Sequence, residues 1–223
     1  MGKSKIIVFL CMSLLLAGLS GVSNAYKLQV GGEYWLGQWN PDEGDTDMGT
    51  GMIGPTLNVF TDDLKWNVGG KILVGRYNAD QAPMVNRYDI DLYARYRLLS
   101  SERGTLYAGI GGKGFIFEVP KNDGATYGWG PNLMVIGQIT PLKSLDFLNV
   151  YLGASWSPAT FFQSSGLPGD FSETTMTYSM ESGFNINLGK GFSLKAGYRF
   201  QRIDGEIIDE SFSGPTVGIS YFF

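Results

Sequence analysis

The side chains best able to do chemistry in this chain fall at every second position. Between Arg87 and Leu98 one parity holds Arg87, Asp89, Asp91, Tyr93, Arg95 and Arg97, and the other holds Tyr88, Ile90, Leu92, Ala94, Tyr96 and Leu98. A period of two is the mark of a β-strand with one wet and one oily face. The same parity puts Glu33, Lys71, Lys113, Glu181, Lys195 and Arg199 on polar strand faces. With Asp89, Asp91, Arg95 and Arg97 they make a set of six basic and four acidic groups. If such faces are enclosed, the charges must pair, because an uncompensated buried charge costs several kcal/mol. The rival chemistry is a charged constriction through which ions pass.

Catalysis loses ground by subtraction. The chain has no histidine, the commonest general base at neutral pH, and its one cysteine is Cys11. It has no nucleophile elbow and no metal-ligand spacing. Its carboxylates are interleaved with cations, which favours structural ion pairs over a free acid. Two acidic clusters, Asp42, Glu43, Asp45 and Asp47, then Asp204, Glu206, Asp209 and Glu210, are oxygen-rich enough for Ca²⁺ or Mg²⁺. The first does not follow EF-hand spacing, and solvated surface charge is the ordinary state of both. The expectation is a chain that is not an enzyme and carries no cofactor and no metal.

The elements that would position these groups are short strands. Parity defines ten segments: 28–39, 52–61, 65–77, 87–99, 105–117, 128–140, 147–158, 173–188, 192–203 and 213–223. Short connectors at Asp62-Asp63, Ser101 to Arg103, Pro141 to Asp146 and Gly189 to Gly191 alternate with longer ones at 40–51, 78–86, 118–127, 159–172 and 204–212. All nine prolines fall in connectors or at the loop-side end of a segment. Gly54-Pro55-Thr56, Gly130-Pro131-Asn132 and Gly214-Pro215-Thr216 echo one another at the start of strands that descend from long loops. A two-residue turn at Asp62-Asp63 predicts Asn58 opposite Asn67 and Gly54 opposite Lys71. A three-residue turn at Gly189 to Gly191 predicts Glu181 opposite Arg199. Antiparallel registers also bring Asp91 within reach of Lys71 and Lys113 and set Arg95 against Gly109.

The first 25 residues resemble a secretory leader. Lys3 and Lys5 precede an apolar run from Ile6 to Leu16, and Ser23 and Ala25 suit a cut before Tyr26. The run is shorter than the roughly 20 residues a spanning helix needs, and Cys11 follows Leu10, unlike a lipoprotein cysteine. Residues 26–223 would then form the mature domain, with 15 basic and 21 acidic side chains, net −6, and no cysteine. That balance, without basic runs, argues against a nucleic-acid partner. At 43% hydrophobic and 17% charged, the chain is too polar for helical spans and too apolar for disorder. Gly124 to Leu142 and Phe147 to Gly169 lack charge, but each is broken by two prolines and several glycines.

The chain ends on Val217, Ile219, Tyr221 and Phe223, alternating with Gly218, Ser220 and Phe222. This resembles the C-terminal signature of bacterial outer-membrane proteins, which implies recognition by the barrel-assembly machinery. Over the mature region the chain resembles the small outer-membrane barrels of the OmpA, OmpX and OmpW type. The fold expected is all-β: a closed antiparallel transmembrane β-barrel of about ten strands, with eight as the alternative. Four short turns and five long loops suit an even barrel with both termini in the periplasm. Trp66, Tyr96, Tyr221 and Phe223 on the turn side, and Trp39, Tyr88, Trp129 and Trp156 on the loop side, would form its aromatic girdles. The expected partners are outer-membrane lipid and lipopolysaccharide. The role expected is structural or surface-interacting, around a narrow lumen filled by the ten charges. A weakly cation-selective pore is the alternative, and a lipid- or small-ligand-binding barrel with an apolar cavity near Met134 and Ile136 is a third.

Overall fold

A computed structural model describes residues 26–41, 50–77, 84–120, 124–166 and 170–223. The leader, the acidic cluster at Asp42, Glu43, Asp45 and Asp47, Lys121, and the side chain of Trp39 lie outside the described residues. Eleven strands follow one another: β1 (Tyr26–Trp35), β2 (Gln38–Pro41), β3 (Thr50–Thr61), β4 (Trp66–Tyr77), β5 (Val85–Ser100), β6 (Gly104–Val119), β7 (Gly124–Ile139), β8 (Leu148–Ser165), β9 (Ser172–Gly189), β10 (Phe192–Asp204) and β11 (Asp209–Phe222). β2 resumes the line of β1 after Leu36 and Gly37 and pairs with β11, so eleven strands make ten staves. Each stave pairs antiparallel with the next. β1 and β11 close the ring, from Gln29 opposite Phe222 to Trp35 opposite Thr216. The barrel therefore has ten staves rather than eight.

Alternation decides which face each side chain takes. Val68, Leu92, Ile110, Leu133, Leu152, Met180, Val217 and Ile219 point outward and are exposed, an arrangement suited to lipid but not to water. Aromatic rings bound this belt. On the turn side Trp66 packs on Tyr96 at 4.9 Å and Tyr221 on Phe223 at 4.6 Å, with Phe192 against Tyr221 at 4.7 Å. On the loop side Trp129 lies 6.5 Å from Phe161, and Tyr34 and Trp156 are exposed. Tyr88 and Tyr96 are eight residues apart on β5. That is about 27 Å along the strand and about 20 Å of height at a tilt near 40°. Beyond the loop-side rings the outward positions turn polar: Arg76, Asn86, Glu118, Arg202 and Asp209. Tyr88 donates to Glu118 at 3.2 Å and Arg202 to Asp209 at 2.9 Å across this boundary.

Three expectations need correction. Strands run past their predicted ends: most of 159–172 and 204–212, expected as loops, extends β8 and β9, and β10 and β11. Consequently Pro55, Pro131, Pro158 and Pro215 lie inside strands. They sit at interruptions of the ladder, where a missing N–H costs least. The β7–β8 register breaks between Trp129 and Leu133, around Pro131, and the β8–β9 register between Ser157 and Thr160, around Pro158. Finally, the β3–β4 turn is wider than two residues. Leu64 takes a left-handed φ of 55°, and Asp63 accepts from the Thr61 hydroxyl at 2.6 Å and the Lys65 amide at 3.0 Å. These bonds hold the exposed Asp63 carboxyl down at about 2. Lys71 therefore faces Thr56 rather than Gly54, and Asn58 faces Gly69 rather than Asn67. The slip is two residues, so every side chain keeps its face.

Candidate functional site

Long charged side chains need room inside a narrow barrel, and glycines on neighbouring staves provide it. Glu33 lies between Gly54 and Gly218, Arg199 beside Gly214, Lys113 beside Gly130 and Arg95 beside Gly109. Three of these glycines belong to the repeated Gly-Pro steps, which explains the echo in the sequence. The staves also approach closely there. A Cβ on Gly54 would fall 1.7 Å from the Ile72 carbonyl oxygen, and one on Gly214 1.7 Å from that of Leu36. Gly54→Ala and Gly214→Ala are each expected to cost about 1–3 kcal/mol through forced backbone shifts. Urea titration of the folded protein in lipid would register this as a lowered midpoint; an unchanged midpoint would refute the packing account.

The middle of the lumen is an ion-pair cluster. Glu33 is contacted by Lys71 at 3.5 Å, by Lys195 at 3.0 Å and by Arg199. Glu181 is contacted by Arg199 at 2.7 Å, by Lys71 at 4.0 Å and by Lys195, and it accepts from the Tyr151 hydroxyl at 2.9 Å. Asp91 lies 3.7 Å from Lys71 and opposite Lys113, whose ammonium donates to Ser179 at 3.3 Å. Glu33, Lys113 and Arg199 are each only 5% exposed. Three carboxylates thus meet Lys71, Lys195 and Arg199 at one level, so the cluster is locally close to neutral.

Below it, toward the turns, the lumen is lined by amides. Gln29, Asn58 and Asn67 are joined side chain to side chain at 3.2 Å each, and Gln29 donates to Ser220 at 2.9 Å. Arg95 donates to Asn67 at 2.8 Å and stacks 4.1 Å from the Tyr93 ring, and Tyr93 donates to Asn58 at 2.9 Å. Phe60 and Phe222 meet inside this end, 5.5 Å apart.

Above the ion pairs the lumen turns apolar. Trp35, Met52, Leu73, Phe115, Phe162, Ile203 and Phe212 are buried there as a cluster. Within it lies Arg87, fully buried. Its guanidinium donates to both oxygens of Asp89 at 2.7 and 2.8 Å and to Gln201 at 2.8 Å. The guanidinium carbon is 3.6 Å from the centre of the Phe212 ring and 5.4 Å from that of Phe117. At the loop-side end, level with the outer polar ring and outside the membrane-spanning part, Tyr77, Phe117, Phe171, Ile208, Glu210 and Phe212 line a cavity of about 220 Å³.

The structure therefore brings together Glu33, Lys71, Asp91, Lys113, Glu181, Lys195 and Arg199, with Glu181 opposite Arg199. It sends Asp89 to Arg87 and Arg95 to the amide layer. Arg97 is not in the lumenal cluster: its guanidinium donates to the Asp63 carbonyl at 2.7 Å, tying down the β3–β4 turn. Sequence reasoning saw Arg87 on the polar parity but left it out of the site. It placed Glu210 in a solvated acidic loop, whereas Glu210 points inward from β11, and Asp209 is paired with Arg202 on the outside. Continued alternation through Asp209 to Phe212 was the available signal. This cavity lies at the loop-side mouth, and Met134 and Ile136 are not among its lining residues.

No protein-family profile matches the chain, and no curated protein matches it significantly in sequence. Solved structures do match. The outer membrane protease OmpT of Escherichia coli aligns with a TM-score of 0.59 at 8% identity, over 90% of this chain and 97% of that one. The translocator domain of the autotransporter NalP of Neisseria meningitidis aligns with a TM-score of 0.50 at 15% identity, over 98% of this chain and 95% of that one. At these identities the likeness is one of fold: the chain has the closed antiparallel β-barrel fold of these outer-membrane proteins.

Proposed function

We propose that this protein is a closed, non-conducting barrel of the outer membrane whose work is binding at its loop-side face. One observation carries this: side chains from diametrically opposite staves meet across the lumen. A ten-stave barrel tilted about 40° is about 20 Å across at the backbone. Lys71 on β4 and Glu181 on β9, five staves apart, approach to 4.0 Å, and Arg87 on β5 reaches Gln201 on β10 at 2.8 Å. An ion entering from outside would meet the apolar Arg87 layer first and then a neutralised cluster. Opening either would strip buried charges of their partners.

This reading favours the structural and surface-interaction role over the cation-selective pore. It asks for no catalytic group, in keeping with a chain that lacks histidine. Lipid and lipopolysaccharide remain the proposed surroundings of the belt, and the barrel-assembly machinery the proposed reader of Val217, Ile219, Tyr221 and Phe223. Refolded protein in a planar bilayer is expected to produce no discrete conductance steps in 1 M KCl. Reproducible unit steps, with cation-biased reversal potentials under a KCl gradient, would overturn the proposal in favour of the pore.

A further inference from the structure

We infer that the loop-side cavity is a binding site for a small aromatic or alkyl molecule bearing a primary ammonium group. The inference deepens the closed-barrel reading and rests on it in one respect, that the floor of the cavity is sealed. The volume sets the size. At about 20 Å³ per close-packed non-hydrogen atom, 220 Å³ holds roughly ten atoms, the size of a phenyl ring with a short amine arm. The walls set the body: Tyr77, Phe117, Phe171, Phe212 and Ile208 offer rings and aliphatic surface.

Glu210 sets the charge. Among the described residues it is the one charged group of the lining, and its Oε2 is buried with no hydrogen-bond partner. A buried acceptor left unmatched calls for a donor. An ammonium supplies three, and it gains further from the surrounding ring faces. The nearby Arg87 is not among the lining residues. Its Nε and Nη2 are engaged by Asp89 and Gln201 and its plane by the Phe212 ring. Its Nη1, though likewise buried without a hydrogen-bond partner, does not line the cavity. The wall is held in place independently of any ligand: Glu173 accepts from the backbone amides of Ile207 at 3.0 Å and Ile208 at 3.1 Å, and from that of Glu206, fastening the β10–β11 hairpin.

Burial pushes the Glu210 carboxyl up to about 7, opposed by Arg87 of β5 and reinforced by Asp209 of its own strand. Tyr77 of β4 is pushed up to about 12 and stays neutral, and β10 presents Ile203 to Glu210, which carries no charge. Ammonium binding needs the carboxylate, so affinity is expected to fall as pH drops from 8 to 5.5, where a primary amine stays protonated throughout.

The test uses the refolded full barrel in nanodiscs and calorimetric titration with three probes: 2-phenylethylamine, 3-phenylpropanol and 3-phenylpropionate. The amine is expected to bind at least tenfold tighter than the alcohol at pH 8, and the acid weakest. Glu210→Gln should remove most of the amine's advantage while leaving alcohol binding within twofold. Phe171→Ala, which leaves the carboxylate alone, should weaken both amine and alcohol by about tenfold. Should Glu210→Gln fail to fold, the pH series on the unmodified protein decides the same point. Equal binding of amine and alcohol, tighter binding of the acid, or no amine binding overturns the inference. Conductance is measured separately. Amine binding by a conducting barrel would overturn the closed-barrel reading alone, and a silent barrel that ignores the amine would overturn this inference alone.

Discussion

Replacing Arg199 with methionine is expected to lower the stability of the barrel by about 3–5 kcal/mol. The guanidinium contacts both Glu33 and Glu181, as Lys71 and Lys195 also do, and its removal leaves the two carboxylates facing each other with only lysines between them. Its carbon also lies 5.1 Å from the centre of the Trp35 ring, so packing is lost with the charge. Adding Glu181→Gln to the Arg199→Met protein should return part of the loss, because one uncompensated charge goes with it. The coupling between the two substitutions is expected to exceed about 1 kcal/mol. Urea unfolding of the single and double variants in lipid, read from a common baseline, measures it. Strict additivity would mean that the cluster does not act as a unit. Glu33→Gln should show a similar coupling to Arg199→Met, since Arg199 contacts both carboxylates.

Loss of the last strand's outward residues should have its largest effect on assembly rather than on equilibrium stability. Tyr221 and Phe223 lie at the turn-side ring, where a charge costs only about 0–1 kcal/mol against lipid. Their pairing is another matter. Tyr221 stands opposite both Val30 and Phe192, and the Phe223 amide donates to the Leu28 carbonyl at 2.8 Å, so these residues are where the ring closes. Deleting residues 219–223 removes the first four of the seven β1–β11 pairings, from Gln29↔Phe222 to Gly32↔Ile219. That truncation is expected to abolish the heat-modifiable form in membranes, and Tyr221→Asp combined with Phe223→Asp to reduce it several-fold. Wild-type amounts of heat-modifiable protein from either variant would count decisively against closure through this strand.

Much of the site was legible because its chemistry follows parity. Lys71 opposite Asp91, Asp91 opposite Lys113, Arg95 opposite Gly109 and Glu181 opposite Arg199 all follow once each segment is read with period two and its turn given a length. The one misjudged turn, at Asp62-Asp63, moved β4 by two residues and changed no face. What escaped lies above the belt. There the outer solvent changes from lipid to water, and the sense of the pattern reverses. Along β10, Leu194, Ala196, Tyr198 and Phe200 face out, then Arg202 and Asp204 face out while Ile203 turns in. Read with one fixed rule, those ends look like loops, with Glu210 and Phe212 as part of one.

By itself, then, the sequence determined the class of fold, the number of staves, the outer apolar belt and most of the charges turned inward within that belt, though not Arg87, Glu210 or the placement of Arg97. All of these depend on neighbours along one strand or across one turn. Only the closed barrel decided which charges meet, because Lys71 and Glu181, or Arg87 and Gln201, sit on opposite staves with no local relation in the chain. The same holds for the loop-side cavity, whose walls come from β4 to β7, β11 and the segments beside β9 and β10. A cavity is what remains when distant side chains fail to fill a space, and no periodicity in one strand records how far across the lumen another reaches.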